Sequence, residues 1–405
     1  AEFTADMERV TEGRNDAEMT GLLVTESADG VRWLSSLGMA YRLMYERQAY
    51  ERPDGSFLFW GGLHVGNVGG GEGMIADHKM IAARLGVEIR YEHQVSAFLF
   101  DGERVHGVVA EHGGERSEIG AESVIIASGG FESNAEMREK HLGEGWSKAK
   151  VRGTAYNMGY PIEAALRIGA APGGDWSTCH SVQWDAYFAE NESNRELTNR
   201  LTRQSYPLGI IIDQSGRRFL DEGADFRNFT YAKYGREILA RPGGIAWQIY
   251  DATLRPLLRA EEYDMPGISV IEAGTVHELA QKAGLDPVVV QATIDEYNNS
   301  IDRSIPFDPT VLDGRSAETS PRKSNWASPL ESAPFFAYPV TCGITFTFGG
   351  LTGDAEGRVI RHDGGVLPGL FVCGEARGGL FSGNYPGGSG LAAGIVFGRR
   401  AGAVA

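Results

Sequence analysis

Gly374-Glu375-Ala376-Arg377-Gly378-Gly379 and then Gly383-Asn384-Tyr385-Pro386-Gly387-Gly388-Ser389-Gly390-Leu391 lead into a small-residue helix at the C-terminal end of the sequence. Gly390, Gly394, Gly398 and Gly402 recur every fourth residue, so one face of that helix is almost bare of side chains. A bare face admits another backbone, or a flat ring, at close range. The glycine-rich turn ahead of it frees backbone N–H groups at a helix N-terminus, where the macrodipole favours negative charge. Two readings stand side by side. One is a tightly packed terminal helix with a glycine-rich lead-in, the other a platform for a planar, negatively charged ligand.

Other segments bear on the choice. Leu370-Phe371-Val372-Cys373 reads as a strand running into Gly374-Glu375, and Val124-Ile125-Ile126-Ala127-Ser128-Gly129-Gly130-Phe131-Glu132 is a second apolar run ending in a glycine pair. With Phe3 to Asp16, Gly209 to Gly223 and Gly343 to Gly350, these segments resemble the fumarate reductase/succinate dehydrogenase flavoprotein superfamily. Within it the chain looks most like the branch of tricarballylate dehydrogenase and the 3-ketosteroid dehydrogenases. The resemblance covers essentially the whole chain, with separated motifs in the right order. It implies an α/β fold, a glutathione-reductase-like FAD-binding domain with an inserted α+β capping domain. It also implies FAD as cofactor, held by Gly129, Gly130, Glu375, Gly387, Gly388, Ser389, Gly390 and Leu391, with Glu375 accepting from a ribityl hydroxyl. An anionic reduced flavin ring would be stabilised at the helix N-terminus.

One departure is plain. The family opens with a strand, a G-x-G-x-x-G turn and a helix that bind the ADP half of FAD, and residues 1 to 70 contain no such fingerprint. The first glycine cluster, Gly69-Gly70-Gly71-Glu72-Gly73, follows Phe57-Leu58-Phe59-Trp60 and leads into a helix from about Met74 to Leu85. It resembles the family's second glycine-rich stretch, so Gly70 and Gly71 join the expected cofactor contacts. The expectation is an FAD domain truncated at its N-terminus by roughly sixty residues, about one βαβ unit plus a loop.

Composition adds bounds. The 405 residues, 42% hydrophobic and 23% charged, suit a globular protein with room for two cores. Glycine, at 55 residues, is nearly twice the usual share, which fits close backbone-to-cofactor contacts. A net charge of −16 argues against nucleic acid or an anionic membrane as partner, though not against an anionic substrate met by local cations. Cys179, Cys342 and Cys373 lie far apart, with neither a disulfide framework nor a metal-ligand spacing, so no metal is expected. No apolar run approaches the ~18 residues that span a bilayer. A soluble, cytoplasmic protein is expected.

Along the chain, Asp16 to Gly38 reads as an amphipathic helix. Alternating Val87, Ile89 and Tyr91 predict a strand, and Val95 to Phe100, Asp101-Gly102 and Val105 to Ala110 predict a hairpin. Gly159 to Ala170 reads as a helix; the family's T-G-D-G flavin contact at its start is here Asn157-Met158-Gly159-Tyr160, partly preserved. Ile210 to Asp213 and Arg217 to Leu220 predict a second hairpin. Helices are expected at Thr275 to Ala283 and from Asp286, with Pro287 at the first position. Residues 302–340 read as an irregular wrap. The expected domains are 1–175 with 347–405 for FAD, and 176–346 for the cap.

Chemistry at a flavin needs a proton-moving group and a stabiliser of developing charge beside the hydride-exchanging atom. Tyr385, fixed by Pro386-Gly387-Gly388, is the first candidate. At this position the dicarboxylate reductases have a carboxylate-clamping Arg, whereas the tricarballylate and 3-ketosteroid enzymes have Tyr. A phenol can donate to a carbonyl or lose a proton, but it makes no bidentate clamp; the plainer reading is a Tyr packed under the helix. His180 matches the family's substrate-binding His, against the plainer role of structural donor. Arg227 follows Phe219-Leu220-Asp221-Glu222-Gly223, one residue further on than the proton-donating Arg of fumarate reductases, and a carboxylate-pairing Arg is the plainer reading. Arg203 is an alternative cation, and His64 a weaker candidate for the same cavity. Thr345 stands where fumarate reductases have a substrate His. The expected activity is FAD-dependent desaturation or reduction of a C–C bond beside a carboxyl or carbonyl group. A tricarballylate-like polycarboxylate is the first small-molecule substrate class and a 3-ketosteroid-like ketone the second, with an unknown electron donor or acceptor. The competing expectation is a flavin-free relative serving as a binding subunit or non-redox enzyme.

Overall fold

The computed structural model describes residues 2–45, 49–51, 54–59, 65–190 and 192–405, so Trp60 and His64 lie outside the described residues. The chain divides into two compact units, one of residues 1–134, 157–178 and 347–405, the other of 135–156 and 179–346. The second therefore includes the helix Ala135–Leu142, which the sequence reading grouped with the FAD domain.

In the first unit, the helix Ala17–Ser36 begins at Asp16, whose side chain accepts from the Met19 N–H. It buries Met19, Leu23 and Leu34 and packs on the terminal helix Ser389–Val404. Gly30 makes the approach possible, because a Cβ there would stand 2.7 Å from Ile395 Cγ2. Arg400 and Glu26 close the same interface at 2.6 Å. The predicted hairpin is present as Gln94–Phe100 and Val105–His112, and Glu115–Gly120 extends it to a meander. Its turn is an Asp device: Asp101 Oδ1 accepts from the Glu103 and Arg104 amides while Gly102 takes φ +105°.

A small sheet runs in the order Arg358–Ile360, Val366–Val372, Val124–Ile126, and its last two strands are parallel. Ile126, Ile162, Leu351, Val359, Leu367, Leu370 and Val372 form the core around it. One expectation fails here. Residues 87–91 form no strand, and Val87, Ile89 and Tyr91 are 57%, 46% and 60% exposed. Alternation marks a strand only where a neighbouring backbone supplies a ladder, and none of the described strands pairs with this stretch.

In the second unit, Ile210–Asp213 pairs with Ala246–Tyr250, which pairs in turn with Phe335–Leu351 from Phe336 to Val340. The helices Val276–Lys282 and Pro287–Asn299 cover the sheet, and Asp286 caps the second by accepting from the Val288 and Val289 amides. Buried Ile210, Ile249, Val290, Ile294, Tyr297 and Ala337 belong to the core between them. The hairpin expected at 210–220 is reduced to a bridge between Ile212 and Arg218, whose side chain is buried. Its guanidinium grips Glu222, Nη2 to Oε2 at 2.5 Å and Nε to Oε1 at 3.1 Å, while the Ile211 amide donates to Glu222 Oε1 at 2.7 Å. The irregular stretch after residue 302 is anchored nearby by buried Lys323, which donates to the Pro207 and Gly209 carbonyls.

Among the described residues no helix is long and apolar enough to cross a membrane, and no cluster of three or more metal-ligating side chains exists. All three cysteines are buried and none is in a disulfide.

The buried ion pair sets an expected stability effect. Glu222→Ala leaves the Arg218 guanidinium uncompensated and one backbone amide without its acceptor, a loss of about 3–5 kcal/mol. Removing exposed Glu331, the partner of Arg303, should cost far less, because solvent screens that pair. Thermal melting of the two variants should separate them clearly, and equal melting temperatures would refute this account.

Candidate functional site

The parallel register pairs Leu370 with Val124, Phe371 with Ile125 and Val372 with Ile126. Both strands therefore end together, and the Cys373 N–H donates to the Ile126 carbonyl at 3.0 Å. The turn Gly374–Ala376 and the Gly129-Gly130 loop thus emerge side by side at the carboxyl ends of neighbouring strands, where open α/β sheets bind ligands.

The contacts in this corner are close. An added Cβ at Gly130 would lie 2.1 Å from Thr347 Oγ1 and 2.2 Å from Glu375 Oε1, so only glycine fits. Gly129 takes φ +74°, and a Cβ there would fall 2.3 Å from the Asn157 amide nitrogen. Glu375 Oε1 accepts from the Thr347 amide at 2.8 Å and from its hydroxyl at 3.3 Å. Burial pushes the Glu375 carboxyl up to about 7 against hydrogen bonds that pull it down, the first of them from Glu132. Glu132, almost fully buried, is raised well above the usual carboxylate range, first by burial and next by the charge of Glu375. Asn157 Nδ2 donates to Glu132 Oε1 at 2.6 Å. Where the family reads T-G-D-G, this chain uses Asn157 to brace Glu132.

The terminal helix begins at Gly388, held at φ +88°, and no side chain caps it. The face carrying Gly394 and Gly402 is open: no described atom lies within 4 Å of an added Cβ at either. Gly398, between them on the same face, does meet a neighbour: an added Cβ there would lie 3.8 Å from Cys373 Sγ. Leu391 is 63% exposed beside that face. Tyr385 is nearly buried, with its ring edge-on to Phe381 at 5.4 Å. Its loop is pinned by Asp175, whose Oδ2 accepts from Ser382 Oγ and Thr178 Oγ1, both at 2.6 Å, and by the Gly383 amide donating to Thr178. Gly70 and Gly71 begin a different helix, Gly70–Arg84, and no described atom lies within 4 Å of an added Cβ at either.

His180, Arg227 and Thr345 belong to the second unit. His180 is fully buried, stacked on Phe346 at 5.3 Å and edge-on to Tyr231 at 5.1 Å. Burial, and then the charge of Arg152, hold its imidazole well below its ordinary pKa, so it is neutral at neutral pH. The Arg227 guanidinium lies over the Tyr231 ring at 6.0 Å and donates to Gln204 Oε1 at 2.9 Å. Burial and neighbouring Arg259 pull its pKa down to about 10. Tyr231 thus links the two residues picked from sequence. Arg152 donates to Thr345 Oγ1 at 3.2 Å. Arg203 is committed elsewhere: its side chain is wholly buried and paired with Asp185 at 2.5 Å.

Glu132, Asn157, Tyr231, Gln204 and Arg152 were missed by sequence reasoning. Only Glu132 and Asn157 carried a signal, one beside the glycine pair and the other inside the altered T-G-D-G stretch.

A family model described as FAD binding domain matches residues 2–391. The chain is similar to the probable fumarate reductase Ifc3 of Shewanella frigidimarina (strain NCIMB 400), 27% identical over 409 residues that cover 99% of this chain and 63% of that protein. It is similar also to the 3-oxosteroid 1-dehydrogenase of Mycolicibacterium smegmatis, 26% identical over 356 residues, 81% of this chain and 61% of that one. The solved 3-ketosteroid Δ1-dehydrogenase of Sterolibacterium denitrificans shares the fold, with TM-score 0.77 at 19% identity over 99% of this chain and 87% of that chain. The chain spans 32% to 63% of the length of the first curated relatives it matches. With nearly all of its length inside that match, and the paired glycine turns where the sheet ends, the chain belongs to the FAD-binding domain family.

Proposed function

We propose that this protein is an FAD-dependent oxidoreductase that desaturates or reduces a C–C bond next to a carboxyl or carbonyl group. The observation that carries this reading is the corner formed by Gly129, Gly130 and Glu375 at the ends of two parallel strands. The residues there suit a flavin. Two glycines keep Cβ atoms out of the corner, and Glu375 offers a carboxyl oxygen to a hydroxyl. The uncapped helix N-terminus after Gly387-Gly388 favours an electron-rich ring, and the bare face beyond it leaves room.

Bound FAD supplies hydride exchange with a substrate carbon. Tyr385 is the proposed proton-moving or carbonyl-polarising group, its ring held by Phe381 and its loop by Asp175. His180 and Arg227 are the proposed substrate-positioning residues. Neutral His180 can donate or accept one hydrogen bond, whereas Arg227 brings the positive charge that a carboxylate seeks. Arg152, joined to Thr345, is a second cation for the same task. Two cations beside a His favour a tricarballylate-like polycarboxylate as first substrate class. A 3-ketosteroid-like ketone is second, supported by Tyr385 and by a relative named for a 3-oxosteroid.

Three variants test this reading. Gly130→Ala drives a methyl group into Thr347 and Glu375 and is expected to abolish FAD binding, followed by quenching of flavin fluorescence. Gly394→Ala, with room for its methyl, should raise the melting temperature of the FAD-free protein, since alanine is favoured over glycine in a helix by about 1 kcal/mol. The same change should weaken FAD if the ring lies on the bare face; unaltered affinity would return that face to a structural role. Tyr385→Phe should lower kcat by about 10²-fold or more with little change in KM. Anaerobic mixing of the reduced holoprotein with unsaturated acids or 3-oxosteroids reads the reaction directly. Failure of every such compound to reoxidise the flavin would sink the proposal.

A further inference from the structure

We propose that Asp175 is a positioning residue for Tyr385: its carboxylate accepts from the hydroxyls of Thr178 and Ser382, and this holds the loop that carries the phenol. The inference deepens the FAD reading and rests on Tyr385 as its proton-moving group. The Ser177 amide and hydroxyl donate to Asp175 Oδ1 at 2.9 and 2.6 Å, while Thr178 Oγ1 and Ser382 Oγ donate to Oδ2, both at 2.6 Å. Arg14 Nη1 stands 3.8 Å from Oδ2 as a half-exposed cation. Burial works against the charge, but the hydrogen bonds from Ser177, Ser382 and Thr178 outweigh it and hold the carboxyl below the usual carboxylate range. Asp175 is therefore ionised at neutral pH and acts only as an acceptor. That polarity orients its neighbours. Thr178 gives its proton to Asp175, so its oxygen is left to accept from the Gly383 amide at 2.8 Å. The loop is thus tied at Ser382 and Gly383, just ahead of Tyr385. A further tie lies upstream, where the Gly379 carbonyl accepts from the Asp16 amide at 2.8 Å. Between the ties, Phe381 sets its ring edge-on to Tyr385 at 5.4 Å. A group that moves a proton must lie within hydrogen-bond reach of its target, and a misplacement of about 1 Å can cost about 10²-fold in rate.

Asp175→Asn keeps the shape and breaks the polarity. The Ser177 amide, a fixed donor, retains the carboxamide oxygen, so the new N–H₂ turns toward Thr178 and Ser382. Hydrogen exchange of the FAD-free protein reads the tie without any turnover. Asp175→Asn should speed exchange at the Gly383 amide about tenfold or more, with the strand Ile210–Asp213 unchanged as the check that the fold persists. Thr178→Val, which leaves the carboxylate in place, should do the same, whereas Thr178→Ser should retain the protection. Turnover of tricarballylate or a 3-oxosteroid by the holoprotein, with an artificial electron acceptor and normalised to bound flavin, reads the consequence. Asp175→Asn should lower kcat about tenfold or more with KM within about twofold. In the Tyr385→Phe background the same change should add little, because the group it positions is gone. Undisturbed Gly383 exchange in Asp175→Asn and Thr178→Val would overturn the proposal. So would a loss of kcat as large in the Tyr385→Phe background as in wild type. Turnover of neither compound by wild type would count against the underlying flavin reading, while the exchange profiles still judge the Asp175 tie.

Discussion

The parallel ladder between Val124–Ile126 and Leu370–Val372 is the constraint on which the cofactor corner depends. It joins two segments far apart in sequence and sets their register to the residue. A slip of one position would reverse every side chain in the strand and carry Glu375 away from Gly130. Because Ile126, Leu370 and Val372 lie in the core, hydrophobic packing resists such a slip. The glycines then complete what the register begins. Gly130 leaves room for the Thr347 hydroxyl and the Glu375 carboxyl where a Cβ would stand, and left-handed Gly129 leaves the Asn157 carboxamide its place.

Charge is handled differently in the two units. In the first, burial raises the Glu132 and Glu375 carboxyls above the ordinary carboxylate range. In the second, buried charges find opposite partners: Arg218 with Glu222, Arg203 with Asp185. Such pairs add little net stability but are costly to break, so they define which packing is allowed. Arg227 is held differently: it donates to Gln204, and burial and nearby Arg259 lower its pKa while Glu262 pulls it back up.

Elements with a local cause were legible in the sequence. The helices read as starting near Asp16 and Asp286 are present, each capped by that Asp, and the Asp101-Gly102 turn joins the strands it was expected to join. Where the signal depended on a distant partner, reading failed. Val87, Ile89 and Tyr91 alternate as a strand does but have no described ladder to join, and Arg217 to Leu220 keeps only a bridge at Arg218. Of the site, the glycines and Glu375 could be read because a backbone that must approach something closely restricts residue type. Tyr231, Gln204 and Arg152 could not, because nothing in their neighbours distinguishes them from ordinary core or surface residues.

By itself the sequence determined the elements with a local cause, the glycine positions that permit close approach, and the family, since each is written in local pattern or in separated motifs. The tertiary structure decided which polar groups share a corner. It made Arg203 a structural cation and drew His180 and Arg227 to one tyrosine ring. It also set Glu132 against Glu375. Those outcomes hang on burial and on the register of strands remote in sequence, and burial is what converts a carboxyl, an imidazole or a guanidinium from a solvated charge into a group with a particular proton.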